Sequence, residues 1–171
     1  MSCTLYLVRH GIADVADAST DDVDRRLTED GARKIARAAV GLKRLGVAPD
    51  VVLASPLRRA AETGAALVGV LSPDAEVEIY APLAPGHPPK AVLRGLARHR
   101  GMQQVMLVGH QPDLGELASF LMTGSTGIVP LPFKKGAVAA IRVASLPPRS
   151  AGELEWFLAP RQLRLIGRRS R

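Results

Sequence analysis

The chain has 171 residues, of which 47% are hydrophobic and 23% carry a charged side chain. This length and composition predict one globular domain, residues 1–171, with a core of its own, and they exclude a disordered chain. The longest apolar runs are far too short to span a bilayer, so we expect no association with a membrane.

The net charge of +7 arises largely at the C-terminal end. Five arginines fall within the last eleven residues: Arg161, Arg164, Arg168, Arg169 and Arg171. We therefore expect residues 160–171 to form a solvated basic tail. Attraction of this tail to an acidic partner protein stays open. Nucleic acid is not an expected partner, because the aromatic or glycine-rich interleaving that accompanies its binding is absent.

The single cysteine and the start of the chain indicate the cellular compartment. One cysteine, Cys3, excludes an internal disulfide, which fits a reducing cytoplasm. Residues 1–4 run directly into a predicted strand and lack the basic start and apolar stretch of a signal peptide. We therefore expect a cytoplasmic protein in which Cys3 faces the core, with a reactive thiol as the alternative.

Strand and helix patterns alternate along the chain, which is typical of a mostly parallel sheet covered by helices. The predicted strands are short apolar runs at residues 5–8, 51–54, 77–80, 105–108, 137–143 and 154–158. The predicted helices show apolar residues at helical spacing, at residues 28–46, 56–70, 90–99 and 112–122. The last two strands are expected to pair antiparallel at one sheet edge. The predicted fold is a three-layer α/β/α sandwich, mostly parallel with an antiparallel edge.

Two of the predicted strands end in a histidine. The run at 5–8 leads into Arg9, His10 and Gly11, and the run at 105–108 leads into His110. Ligands of an open α/β sheet bind beyond the carboxyl ends of its strands, so we expect both histidines in one site. An imidazole there can attack phosphorus while neighbouring arginines hold the phosphoryl oxygens. Arg58 and Arg59, early in the helix after the second strand, would add two such arginines.

The nucleophile of such a site has two requirements that concern its proton. A histidine can attack only while neutral, and neighbouring arginines disfavour its protonated form. Its other ring nitrogen needs a fixed hydrogen-bond acceptor, for which we expect a backbone carbonyl. Gln111 follows His110 at the start of a predicted helix whose backbone N–H groups can also face an anion.

Three blocks of the sequence, in this order, resemble the signature of the histidine phosphatase superfamily, the phosphoglycerate-mutase-like group. They are Leu-Val-Arg-His-Gly at residues 7–11, Ser-Pro-Leu-x-Arg-Ala-x-x-Thr at 55–63 and Val-Gly-His at 108–110. The short chain is similar to SixA-type phosphohistidine phosphatases. Further blocks that resemble this subgroup lie at residues 25–31, 83–86 and 156–163.

The resemblance implies roles for individual residues. His10 would be the nucleophile that becomes phosphorylated, and His110 the second histidine of the pocket. Arg9 and Arg59 would hold the phosphoryl oxygens. As further substrate contacts we expect Gly11, Gln111, Arg25 and His87. We expect no metal and no cofactor, because the aspartate-rich residues 14–25 lack calcium-loop spacing and no Cys/His cluster suits zinc.

One departure from the family pattern bears on the substrate. Superfamily members that cleave phosphoesters usually carry an acidic residue after the third strand, where Pro85 stands here. A phosphorylated imidazole can leave as neutral imidazole once its ring is protonated, and that occurs near neutral pH. The sequence therefore favours a phosphorylated histidine on a partner protein as substrate, with inorganic phosphate as product. The alternatives are small phosphoesters, with His87 supplying the proton, and a non-catalytic module that binds phosphorylated partners.

Residues outside the predicted pocket receive simpler interpretations. For Arg25 the alternative to substrate contact is a place, together with Asp24, behind the residues that contact substrate. We expect Arg58 to lie at the surface or at the rim. His99 is predicted to be a solvated residue at a helix end. The absence of a long insertion predicts an open site, and we expect a monomer.

Overall fold

The computed structural model describes residues 2–15, 21–73 and 75–168. Within these ranges six strands form one sheet: β1 (Cys3–Arg9), β2 (Val51–Ala54), β3 (Val77–Ile79), β4 (Gln104–Gly109), β5 (Val138–Val143) and β6 (Glu153–Leu158). Their order in the sheet is β3-β2-β4-β1-β5-β6. The first four run parallel to one another, and β5 and β6 are antiparallel. The predicted mostly parallel sheet with an antiparallel edge is confirmed.

Five α-helices of the described chain flank this sheet: α1 (Glu29–Arg44), α2 (Arg58–Leu71), α3 (Pro89–Gly95), α4 (Asp113–Thr123) and α5 (Pro160–Ile166). Two clusters of buried residues show which face each helix covers. Ile35, Leu67 and Leu163 place α1, α2 and α5 over one face. Val92 and Leu117 place α3 and α4 over the other. The chain is therefore the predicted three-layer α/β/α sandwich.

Strand β1 supplies apolar side chains to both faces because successive residues of a strand point in opposite directions. Leu5 and Leu7 pack in the cluster with α3 and α4, whereas Tyr6 and Val8 pack in the cluster with α1, α2 and α5. Cys3 is also buried, and burial raises the pKa of its thiol to about 11. The expectation that Cys3 faces the core is confirmed.

The N-terminal ends of α1 and α2 lie close to the loops at the sheet edge. Thr28 caps α1, and its hydroxyl accepts a hydrogen bond from Gly31 N at 2.9 Å. Helix α2 begins at Arg58, two residues later than predicted. Ser55 and Pro56 therefore belong to the preceding turn, where the Ser55 hydroxyl is available to other partners.

The C-terminal segment differs from the expected solvated tail. Residues 160–166 form α5, whose Leu163 is fully buried in the cluster with α1 and α2. Arg44 of α1 donates hydrogen bonds to the carbonyls of Ile166, at 2.8 Å, and Arg168. The arginines of this segment suggested solvation, but one apolar side chain at the right helical position docks it. Residues 169–171 of the predicted tail lie outside the described residues.

His99 also differs from its prediction. Helix α3 ends at Gly95 and a 3-10 turn, Leu96–His99, follows, leaving His99 buried. Its Nε2 accepts a hydrogen bond from Arg98 Nε at 3.1 Å and lies 3.7 Å from Glu78 Oε2. The tighter turn changes the direction in which residue 99 points. Burial lowers the pKa of this ring.

No helix within the described residues combines the length and the apolar character that crossing a membrane requires.

Candidate active site

The site lies where β1, β2 and β4 end side by side, with β4 in the middle. His10 N donates to Gly109 O at 3.0 Å, and Ser55 N donates to Val108 O at 2.9 Å. His110 follows Gly109 directly. These backbone hydrogen bonds fix three polar side chains to one edge of the sheet, at the carboxyl ends of the parallel strands.

The two histidine rings are neighbours. The ring centroids of His10 and His110 are 5.1 Å apart, with an angle of 53° between the ring planes. Only 6% of His10 and 4% of His110 is exposed. The structure thus brings together the two histidines that the sequence places at separate strand ends.

His10 is held in the form that a nucleophile needs. Its Nδ1 lies 2.8 Å from Gly11 O, so we assign Nδ1–H as the donor and leave the lone pair of Nε2 free. This is the expected backbone-carbonyl acceptor. Thr63 fixes the loop, because its hydroxyl accepts from Gly11 N at 3.0 Å. Burial, followed by the charges of Arg59 and Arg9, lowers the pKa of His10 to about 4, so the ring is neutral at pH 7.

His110 is held in the opposite tautomer. Its Nε2 lies 2.8 Å from Ser55 Oγ, which also accepts from Leu57 N at 3.3 Å. We assign the Ser55 hydroxyl hydrogen to His110 Nε2, and Nδ1 then carries the ring hydrogen. Nδ1 is buried without a hydrogen-bond partner in the described part of the chain. Burial and then His10 lower the pKa of His110 to about 3, so this ring is also neutral.

Two arginines border the rings. Arg9 Nη1 donates to Phe133 O at 2.6 Å, and its buried Nε has no partner among the described residues. Arg59 lies in the first turn of α2, and its positive charge lowers the pKa of both His10 and His110. Buried donors without acceptors are unfavourable, and Arg9 Nε and His110 Nδ1 are two such donors, of the kind that an oxyanion can satisfy.

The sequence profile of the histidine phosphatase superfamily (branch 1) matches residues 5–84, which include Arg9, His10 and Arg59. A protein of Picosynechococcus sp. described only as uncharacterized is 37% identical over 158 residues, which cover 90% of this chain and 93% of that protein. The chain belongs to the histidine phosphatase superfamily.

Solved structures agree with this membership. The protein histidine phosphatase SixA, in a complex with tungstate, superposes with a TM-score of 0.81 at 27% identity, covering 94% of this chain and 99% of that one. A mycobacterial glucosyl-3-phosphoglycerate phosphatase superposes with a TM-score of 0.68 over 93% of this chain and 100% of its own. That second likeness, at 16% identity, shows the fold alone. Membership of the superfamily supports phosphatase activity for this chain.

Asp22 is a residue of this histidine phosphatase site that the sequence analysis missed. It begins a 3-10 turn, Asp22–Asp24, and bridges two arginines: Oδ2 lies 2.9 Å from Arg59 Nη2, and Oδ1 lies 2.8 Å from Arg25 Nη1. Hydrogen bonds from Arg25 and Arg59 lower the pKa of its carboxyl. Asp24 was expected in this place. The three-residue spacing of Asp22 and Arg25 was the available signal.

The other residues predicted to contact the substrate differ in how directly they are connected to His10 and Arg59. Gly11 lies next to His10, and its carbonyl orients that ring. Arg25 reaches the site through Asp22, and its Nε donates to Asp14 O at 2.8 Å. Gln111 Nε2 donates weakly to Leu131 O at 3.4 Å. Substrate contact by these residues stays a prediction.

His87 is exposed and lines a small cavity that His110 and Asp113 also line. Asp113 Oδ2 accepts a hydrogen bond from Gly86 N at 3.1 Å, which ties the loop before α3 to the start of α4. Arg58 pairs with Glu62 at 2.8 Å and is 45% exposed on its side chain, as expected for a surface or rim residue. Within the described residues, no three His, Cys, Asp or Glu side chains gather where they could hold a metal ion.

Proposed function

We propose that this protein is a phosphohistidine phosphatase, which removes the phosphoryl group from a histidine of a partner protein through a phosphorylated His10. The observation that supports this most is the neutral His10 ring, with Nε2 free, buried beside His110 and two arginines. The SixA structure that resembles this chain holds tungstate, a tetrahedral oxyanion like the one that these groups would bind.

The first step transfers the phosphoryl group to the protein. The lone pair of His10 Nε2 attacks phosphorus, and the bond between phosphorus and the substrate imidazole breaks in line with it. The departing imidazole, protonated on its ring beforehand, leaves as a neutral molecule. Arg9, Arg59 and the Nδ1–H of His110 would stabilise the negative charge on the phosphoryl oxygens.

The second step returns the protein to its starting state. A water molecule attacks the phosphorus of phospho-His10, a P–O bond forms, and the P–N bond to Nε2 breaks. Inorganic phosphate leaves, and His10 is again neutral with Nδ1–H bonded to Gly11 O. In this proposal the charges of Arg9 and Arg59 stabilise the negative charge on the phosphoryl oxygens, and neither a metal nor a cofactor is required.

The loop at residues 83–87 favours a P–N substrate over a phosphoester. It carries the exposed Pro85 where ester-cleaving relatives usually carry an acid, so an alkoxide leaving group would lack a carboxyl donor there. A second candidate function keeps the same pocket and cleaves small phosphoesters. It is favoured by one observation, the presence of His87 and Asp113 beside His110 in the same cavity.

Turnover of two substrate classes tests the proposal. We expect a higher kcat/KM for a protein phosphorylated on histidine than for sugar phosphates or nucleotides. The His10→Ala variant, as control, should lose turnover of both classes. Faster ester turnover, reduced selectively by His87→Ala, would favour the second candidate. No turnover of any substrate by the unaltered protein would leave only a binding module.

A further inference from the structure

A second basic cavity lies beside the nucleophile, on the α1 and α5 side of the sheet. Its volume is about 140 Å³, and three cationic side chains, Lys34, Lys135 and Arg164, line it. They come from α1, from the segment before β5 and from α5. Glycine, isoleucine and proline form the remaining walls. The docking of α5, which places Arg164 here, is therefore what completes this cavity.

The charges around this cavity are unbalanced. Lys34 pairs with Asp30, which also pairs with Arg33 on the exposed side of α1. In the described part of the chain, neither Lys135 nor Arg164 takes part in an ion pair. Helix α5 contributes no carboxylate. The cavity therefore presents more positive than negative charge. A bound anion would reduce the repulsion among its three cationic side chains.

Two walls connect the cavity to the nucleophile. Gly11, which holds the His10 ring, is one of them. Gly136 is another, and its N–H bonds the backbone carbonyls of Arg9, at 3.0 Å, and His10, at 3.2 Å. The charge of Lys135 also acts on His10. A ligand chain whose phosphoryl group lies at His10 could thus reach this cavity within a few residues.

We propose that Lys34, Lys135 and Arg164 form a docking site for an acidic side chain that flanks the phosphohistidine of the partner protein. This inference rests on the proposed function and extends it to partner recognition. The cavity has room for a carboxylate side chain, and its charge complements one. Cations from three separate elements that converge on one concave surface distinguish it from a solvated lysine row. An acidic neighbour on the partner would align the phosphohistidine with His10 Nε2.

Peptide binding to the His10→Ala variant tests the docking site independently of turnover. The probes are two phosphohistidine peptides, one with glutamates beside the phosphohistidine and one with glutamines in their place. We expect the acidic peptide to bind about tenfold more tightly at low salt, and the difference to shrink as salt is added. Arg164→Gln should reduce the difference to about twofold or less. Arg161→Gln removes an exposed charge of the same helix that does not line the cavity, and should leave the difference unchanged.

Turnover of the same two peptides provides a second measurement of the docking site. The ratio of kcat/KM for the two peptides, measured with active protein, should favour the acidic peptide and fall with Arg164→Gln. Equal binding of both peptides, or a preference that survives Arg164→Gln, would overturn the docking site while leaving phosphohistidine turnover intact. A stronger dependence on Arg164 for a small phosphoester that carries a carboxylate would overturn it in favour of a small substrate.

Discussion

His10 and His110 have the same side chain but opposite tautomers, because their ring nitrogens have different hydrogen-bond partners. Gly11 O takes the Nδ1 hydrogen of His10 and leaves a lone pair on Nε2. Ser55 gives its hydrogen to Nε2 of His110 and leaves a donor at Nδ1. A nucleophile needs the lone pair and an oxyanion needs the donor. The late start of α2 matters here, since it leaves the Ser55 hydroxyl to face His110.

The two rings should titrate far below an ordinary histidine. Burial lowers the pKa of His10 to about 4 and of His110 to about 3. Between about pH 4 and 6.5 the unfolded chain binds more protons than the folded one. The contribution of the two neutral rings to the free energy of unfolding is therefore complete above pH 6.5. It is lost as the pH falls towards 4, by about 3 kcal/mol for His10. Ring NMR should show both titrations below pH 5.

Urea unfolding provides the matched measurement. The free energy of unfolding should decline from pH 6.5 to pH 4.5, and the His10→Ala variant should decline less steeply. Rings that titrate near 6.5 in the folded protein, or equal slopes for the two proteins, would contradict the neutral nucleophile.

At the residue scale the sequence led to four central candidates: the two histidines follow strands of the same sheet edge, Arg9 ends one of these strands, and the family motif selects Arg59. His10, His110, Arg9 and Arg59 all lie there. For Asp22 the sequence offered only its three-residue spacing to Arg25, since the aspartates of residues 14–25 are alike in sequence and the 3-10 turn selects the one that faces Arg59.

Helix α5 shows how one apolar contact can outweigh local charge. Leu163 is buried, and α5 approaches α1 so closely that a Cβ at Gly41 would lie 2.0 Å from Leu163 O. The arginine-rich composition favoured solvation. Burial of the Leu163 side chain stabilises the docked helix by about 2 kcal/mol, which offsets the preference of the arginine-rich segment for solvent. Only the position of Gly41 in the folded chain reveals this close contact.

A pair of glycine substitutions tests the packing of α5. Gly69 of α2 has open space where a Cβ would be, so Gly69→Ala should raise the free energy of unfolding by up to about 1 kcal/mol. Gly41→Ala gains the same helix propensity but collides with the Leu163 carbonyl, and should lower that free energy by about 1–3 kcal/mol. Urea unfolding measures both. Equal stabilisation by the two substitutions would show that α5 does not pack on α1 as described.

The strand order of the whole sheet is what assembles the site. Strand β4 lies between β1 and β2, so the turns after all three meet at one edge. The alternating pattern predicted the parallel sheet, and the two last strands predicted its antiparallel edge. The order itself depends on contacts between segments far apart in sequence, which periodicity does not encode. The candidate active site and the basic cavity both result from this long-range arrangement.

Trapping the phosphorylated protein tests the central claim most directly. The protein is mixed briefly with a histidine-phosphorylated partner and quenched at alkaline pH, because a phosphorylated imidazole leaves readily once its ring is protonated. Peptide mass spectrometry then locates the phosphoryl group. We predict it on His10, with none retained by the His10→Ala variant. A phosphoryl group on His110 instead, or full turnover by His10→Ala, would contradict His10 as the nucleophile.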